Sequence, residues 1–234
     1  MILQTDDFGR FWAIYVTQLS ISFFFLIIAY KILKRNRSQL NLTLSGFYIL
    51  EAIAFIINAI IILLRVELIV YILYVILLFL VFFGHFFLVM FNLTLLDMKY
   101  TLRKNLLYIL IPYVILTISI IVLPNGFTFN EQTNWRPVWS WSFLLILYIF
   151  TFSVLIIPTA ILFIKLYKMF DDRKLKNKMR NFFIGISGMW TALLCGMLWN
   201  TWDNDVFKLI WGSIGAFITI PASLLIYYAM GRGL

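Results

Sequence analysis

Long, nearly unbroken apolar runs separated by short polar stretches set the plan of this chain. The runs fall near residues 11–30, 42–64, 68–93, 105–123, 141–164, 181–200 and 207–229. Crossing a bilayer's hydrocarbon core takes about 20 mainly apolar residues in a helix. A transmembrane strand would instead alternate apolar and polar positions over about 10 residues, and these runs do not. In lipid a helix also satisfies its own backbone. The pattern therefore predicts an all-α integral membrane protein, a single domain over 1–234 built as a seven-transmembrane helix bundle. The longest linkers, near 124–140 and 165–180, are too short for another folded domain.

Composition agrees. Of 234 residues, 63% are hydrophobic and 12% charged, whereas a soluble domain carries roughly 25% charged residues. There is one cysteine, Cys195, and one histidine, His85. An intramolecular disulfide, a multi-cysteine metal site and a bis-histidine haem are thereby excluded within one chain, and neither metal nor cofactor is expected. The N-terminus carries Asp6 and Asp7 rather than the basic region of a signal peptide, so the first run is read as a span.

Charge gives the orientation. Lys31, Lys34, Arg35, Arg37, Lys99, Arg103, Lys104, Lys165, Lys168, Arg173, Lys174, Lys176, Lys178, Arg180 and Arg232 share one side, which is 15 of the 19 basic residues. Arg10, Arg65, Arg136 and Lys208 lie on the other, together with Asp6, Asp7, Glu67, Glu131, Asp203 and Asp205. Basic residues mark the cytoplasmic face, so the expectation is an N-terminus outside, a C-terminus in the cytoplasm, and a multi-pass protein of the cell membrane. No nucleic acid partner is implied, because the charges sit where topology needs them. The dense stretch Lys165–Arg180 has two readings: a solvated loop against anionic headgroups, or a docking surface for a cytoplasmic protein partner.

Seven of the eight tryptophans fall in the outer half: Trp12, Trp135, Trp139, Trp141, Trp199, Trp202 and Trp211. An interfacial belt explains many of them. A second reading makes Trp135, Arg136, Trp139, Trp199 and Trp202 the wall of an outer pocket for a small-molecule or lipid ligand, with Arg136 stacking between two rings. Pro124-Asn125-Gly126 marks a turn at the start of that loop. Gly188, Ala192 and Gly196 recur at four-residue spacing, as do Gly212 and Ala216. Such small-residue stripes predict close packing of the sixth and seventh helices. Pro158 and Pro221 predict kinks.

Ionisable residues inside a membrane are costly and point to function by default. Glu51 and His85 lie at similar depth, roughly 13 Å from the inner ends of the second and third runs at 1.5 Å per residue. A short connection joins those runs, so the two residues can meet, the other reading being that they face different neighbours. Their pair is either an interhelical link or a proton-sensitive element. Asn58, Asn92 and Asn200 predict further interhelical hydrogen bonds. No catalytic motif is present, so the chain is not expected to be an enzyme.

Segments 30–80 and 167–220 are weakly alike: Tyr30-Lys31, Ser45-Gly46 and Leu68-Ile69 answer Tyr167-Lys168, Ser187-Gly188 and Leu209-Ile210. This suggests a 3+1+3 parallel repeat, the layout of SWEET and PQ-loop transporters, although their Pro-Gln dipeptide is missing. The size, the N-out plan, the outer loop after the fourth helix and the ending Ile226-Tyr227-Tyr228-Ala229-Met230-Gly231-Arg232 resemble the seven-helix N-terminal sensor module of prokaryotic histidine kinases. That resemblance implies a sensor or receptor that binds a small or lipidic ligand from outside. Only a few residues follow the last run, so its signal is expected to leave through a separate partner. The rivals are a small transporter and a non-catalytic subunit of a larger membrane complex.

Overall fold

A computed structural model describes residues 12–96 and 102–232. Asp6, Asp7, Arg10, Lys99 and Tyr100 lie outside the described residues. Helix α1 is Leu19–Arg35, entered through a π-helical stretch at Trp12–Gln18. Then come α2 (Gln39–Ile61), α3 (Glu67–Leu96) and α4 (Leu102–Ile121). A small hairpin follows, β1 (Phe127–Thr128) against β2 (Val138–Trp139), antiparallel with Phe127 opposite Trp139. The last three helices are α5 (Trp141–Met169), α6 (Arg173–Thr201) and α7 (Asp205–Gly231).

Six of these helices are long and apolar enough to cross a membrane: Tyr15–Arg35, Gln39–Ile61, Glu67–Leu96, Trp141–Met169, Arg173–Thr201 and Asp205–Gly231. Within α4 the apolar part, Tyr108–Ile121, is shorter. The protein is thus a multi-pass, all-α membrane bundle. Ile60, Ile115, Ile149, Ile161, Ile184 and Phe217 face outward, as lipid contact requires.

Polar caps set the starts of four helices. Ser38, Ser140, Asp172 and Asn204 each accept a hydrogen bond from a backbone N–H of the first turn. Asp172 starts α6 at Arg173 rather than near 181, because the first turns, Arg-Lys-Leu-Lys-Asn-Lys, are polar but helical. Hydropathy finds the lipid-facing run and misses helix that projects beyond it.

The prolines act as their chemistry dictates. Pro158 has no N–H to give, and just ahead of it Thr151–Ile156 winds as π-helix, with Ile157 N–H reaching back to the Phe152 carbonyl. Pro221 lies inside α7, whose last residues, Tyr227–Gly231, are also π-helical. Pro112 sits inside α4.

α1 packs on α2, α2 on α3, and α6 on α7, while α3 also meets α4 and α5. The buried side chains form two apolar clusters. One joins α3, α4, α5 and the hairpin through Phe82, Phe86, Tyr113, Phe143, Leu147 and Phe150. The other joins α1, α2, α6 and α7 through Phe25, Phe47, Tyr48, Phe182, Ile186 and Ile226. Helix α3 supplies both. Tyrosine hydroxyls pin neighbouring helices by donating to main-chain carbonyls: Tyr15 to Ala59, Tyr48 to Ser223, Tyr113 to Phe82 and Tyr148 to Leu194, at 2.7–2.9 Å.

The α6–α7 contact is closer to the N-terminal end of α6 than the small-residue stripes suggest. A Cβ on Gly185 would stand 2.7 Å from the Ala222 carbonyl, and one on Gly188 would stand 2.8 Å from Ala222 Cβ. Gly212 lies under the Trp199 ring, whereas a Cβ on Gly196 would meet nothing within 4 Å. Ala192 and Ala216 are half-buried. Of the three asparagines expected to link helices, Asn58 does, donating to Gln18 at 2.7 Å. Asn92 and Asn200 instead donate to carbonyls one turn back in their own helices, Leu88 and Gly196.

Candidate functional site

Two places carry polar chemistry into or against the bundle. The first is the midplane pair. Glu51 on α2 and His85 on α3 come together with Glu51 Oε1 2.8 Å from His85 Nδ1, both side chains at most 4% exposed. Each lies roughly 15–18 Å from the nearer end of its helix or from the N-terminus of α2, by the 1.5 Å rise, so the pair is deep in the hydrocarbon.

The residues around it make the contact. His85 Nδ1 is also 3.0 Å from the Val81 carbonyl, one turn back on α3. One N–H thus faces two acceptors. It aligns on Val81, and the Glu51 contact is a close electrostatic one, because Glu51 Oε1 receives no hydrogen bond of normal geometry. Phe47 sets its ring edge-on to the imidazole at 5.6 Å. Gly84 leaves room for the carboxylate, since a Cβ there would stand 2.9 Å from Glu51 Oε1. Met189 of α6 brings its main chain toward the ring. The pair therefore sits where α2, α3 and α6 meet, between the two apolar clusters.

The second place is a groove of about 470 Å³ at the hairpin end of the bundle, between the start of α3 and β1, lined by Glu67, Leu68, Tyr71, Phe127, Thr128, Phe129 and Asn130. Its walls are built from the loop upward. Gly126 lets the chain turn against Phe143, because a Cβ there would stand 2.9 Å from that ring. Asn125, Asn134 and Trp135 take positive φ (58°, 49° and 56°). Asn130 and Thr133 exchange side-chain-to-backbone hydrogen bonds that close the loop. Tyr71 stacks on Phe127 at 5.2 Å, and Tyr74 meets Phe127 and Phe129 edge-on.

None of the five residues first read as a ligand wall lines this groove. Trp139 is buried behind it, donating from Nε1 to the Tyr74 hydroxyl at 2.8 Å and lying edge-on to Phe143. It clamps the hairpin to α3. Trp135 is half-buried against the same cluster. Trp202 is exposed beside Phe207, and Trp199 covers Gly212. Arg136 acts electrostatically on Asp203, in the α6–α7 loop. There the Lys208 ammonium holds the Asp203 carboxyl below the usual carboxylate range, with Arg136 adding to the effect. The groove residues had a weak signal in sequence: Glu67 and Tyr71 are one helical turn apart, and Phe127 and Phe129 alternate just after the Pro-Asn-Gly turn.

At the opposite end of the bundle the basic residues gather. Lys34 lies over Tyr30, Lys176 over Tyr167 and Arg232 over Tyr228, each 5.8 Å from the ring centre. Lys165, Lys168, Arg173, Lys174 and Arg180 are exposed. Among the described residues no cluster of His, Cys, Asp and Glu could hold a metal ion. Comparison with protein-family models, curated proteins and solved structures finds no match.

Proposed function

We propose that this chain is a membrane sensor of receptor type. It crosses the cell membrane seven times, N-terminus outside and C-terminus in the cytoplasm, and binds a small amphipathic or lipidic ligand from the outer side. The observation that carries the reading is the outer groove and the helix it is built on. One wall is the start of α3, the other is a hairpin strand clamped to α3 by Trp139 and Tyr74, and the same helix runs on to His85. A ligand that fits two positions of α3 unequally shifts the balance between them. The midplane pair then registers the shift.

The seventh span of this reading is α4, whose apolar part, Tyr108–Ile121, is shorter than the other six, and it is the odd number of crossings required by the one-sided basic residues that argues for it. The orientation is supported by the excess of basic residues at the end opposite the hairpin. The groove offers aromatic rings and a single carboxylate, Glu67. Its chemistry favours an apolar body carrying a positive group over an anion. The exposed basic stretch Lys165–Arg180 is the place for a separate signalling partner.

The test is a thermal-shift screen of amphiphilic cations on the purified protein. A ligand of the folded state stabilises it by about 2.7 kcal/mol at a hundredfold excess over its Kd. The reading expects a compound that stabilises the wild type and not Tyr71→Ala. A compound that stabilises both alike refutes the groove as its site. A second reading, a small transporter of the 3+1+3 plan, is favoured by the pair at midplane depth. It requires substrate flux in liposomes that stops in Glu51→Gln.

A further inference from the structure

Besides Glu51 Oε1, three buried side-chain atoms among the described residues of the bundle make no hydrogen bond: His85 Nε2, Asn92 Oδ1 and Thr159 Oγ1. Their residues are 3%, 0% and 0% exposed. Buried polar atoms without partners are unfavourable in a membrane interior, so three in one region call for an explanation. Their positions are related. Asn92 follows His85 by seven residues, about two full turns, so both stand on one face of α3, about 10 Å apart along the axis. Thr159 is on α5, which packs on α3. The Phe82–Phe150 ring contact sets the register of these two helices, and it places Thr159 level with Asn92. Both lie between the pair and the basic end of the bundle. Buried apolar side chains pack on both sides of the pair, Leu78 and Phe82 toward the hairpin and Leu88 and Phe91 toward the basic end, but the unpartnered atoms of the bundle beyond the pair lie on the basic side alone among the described residues.

The tautomer follows from geometry. Nδ1 faces two acceptors, the Val81 carbonyl and Glu51 Oε1, so Nδ1 carries the proton. The lone pair is then on Nε2, which makes no hydrogen bond of normal geometry, with the Met189 main chain beside the ring. We propose that the Glu51–His85 pair is a reversible proton-binding site, and that Nε2 exchanges its proton with the inner face past Asn92 and Thr159 and not with the outer face. In the binding step a hydronium ion gives up a proton, an O–H bond breaks, an N–H bond forms at Nε2, and water is released. The imidazolium so formed holds its new charge beside the Glu51 carboxylate. Of the elements packed around the pair, α2 presents Tyr48, whose hydroxyl is committed to the Ser223 carbonyl of α7. Tyr227 of α7 acts on Tyr48. α1 presents the hydroxyl of Ser22, bonded to the Ala52 carbonyl, and α6 presents Met189 and Trp190, which do not titrate. Among the described residues no second charged group acts on His85. This site does not depend on the outer groove being a ligand site.

His85 is the single histidine of the chain, so nitrogen-15 histidine labelling of the full protein, its tag removed, gives one imidazole spectrum with no assignment to make. In phosphatidylcholine nanodiscs, titrated between about pH 4 and pH 9, Nδ1 is expected to stay protonated while Nε2 passes from bare to protonated. Glu51→Gln is expected to weaken proton binding at least tenfold. Asn92→Leu with Thr159→Val is expected to keep the midpoint and slow exchange at Nε2 at least tenfold, while Tyr113→Phe, toward the outer face, leaves the rate unchanged. A wild-type Nε2 that never changes state overturns the proposal, with no variant needed. A Glu51→Gln midpoint equal to wild type overturns the pair. Exchange slowed by Tyr113→Phe and not by the inner variant overturns the inner route.

Discussion

Removing His85 and removing Glu51 have unequal consequences, and the inequality is set by what each leaves behind. With His85→Leu the Glu51 carboxyl keeps its burial and loses the imidazole N–H that faces it, with no hydrogen bond of its own at Oε1 to replace it. Breaking a buried pair from one side costs about 3–5 kcal/mol, and a carboxyl that escapes by taking a proton brings this to the lower end, about 3 kcal/mol. With Glu51→Leu the imidazole stays neutral and keeps its Val81 acceptor at 3.0 Å. That change costs only about 1 kcal/mol, the scale of one ordinary hydrogen bond. Replacing both, as Glu51→Leu with His85→Leu, leaves apolar groups of similar volume and costs about 0–1 kcal/mol. The sum of the single effects thus exceeds the double by about 3 kcal/mol, a coupling far outside additivity. Equilibrium unfolding of the four proteins in mixed micelles, by titration with a denaturing detergent, measures all of it. Equal small losses for both single variants, adding to the double, would show that the 2.8 Å contact carries no energy.

Four further outcomes are expected. Gly84→Ala puts a Cβ 2.9 Å from Glu51 Oε1 and lowers stability by about 1–3 kcal/mol in the same unfolding assay, as overpacking does. Gly188→Leu unseats α7 at Ala222, whereas Gly196→Leu, with nothing within 4 Å, is tolerated; melting temperatures of the two variants should separate clearly. Trp139→Phe strands the Tyr74 hydroxyl and costs about 1–3 kcal/mol, with faster proteolysis of the 124–140 loop as its local signature. For Asp203 the Lys208 ammonium holds the folded carboxyl below the usual carboxylate range, so its contribution is present above the unfolded value and is lost as pH falls through the lower folded value. The stability difference between wild type and Asp203→Asn should therefore be small at neutral pH, because the pair is exposed, and vanish in acid.

Much of this was written in the pattern of the chain. Apolar runs located every helix, because lipid exposure demands them and nothing else in the sequence imitates them. Glu51 and His85 were conspicuous for the same reason: in a background of Ile, Leu and Phe a buried ion stands out. Their 2.8 Å contact was allowed by depth and a short connection. The outer site was less legible. Tryptophan marks an interface by its amphipathic ring, and that property does not tell a pocket wall from a clamp; Trp139 is a clamp because its N–H found the Tyr74 hydroxyl. The β1–β2 pairing was invisible, since two residues per strand leave no period to detect. The small-residue stripe pointed to the right helices and to Gly188, but not to Gly185 and Ala222, which complete the contact. Spacing alone does not say which glycine faces Ala222 and which faces open space.

The central claim is that the outer groove holds an amphipathic ligand. It is tested most directly by purifying the wild type, Glu67→Lys and Trp202→Ala from native membranes in mild detergent and identifying, by mass spectrometry, the small molecules and proteins that come with each. Expected is a molecule with an apolar body and a positive group, enriched with the wild type and Trp202→Ala and lost with Glu67→Lys, which reverses the charge at the groove. The same small molecules with all three proteins, alongside a stoichiometric membrane partner retained by each, would contradict it and make the chain a subunit of a larger complex.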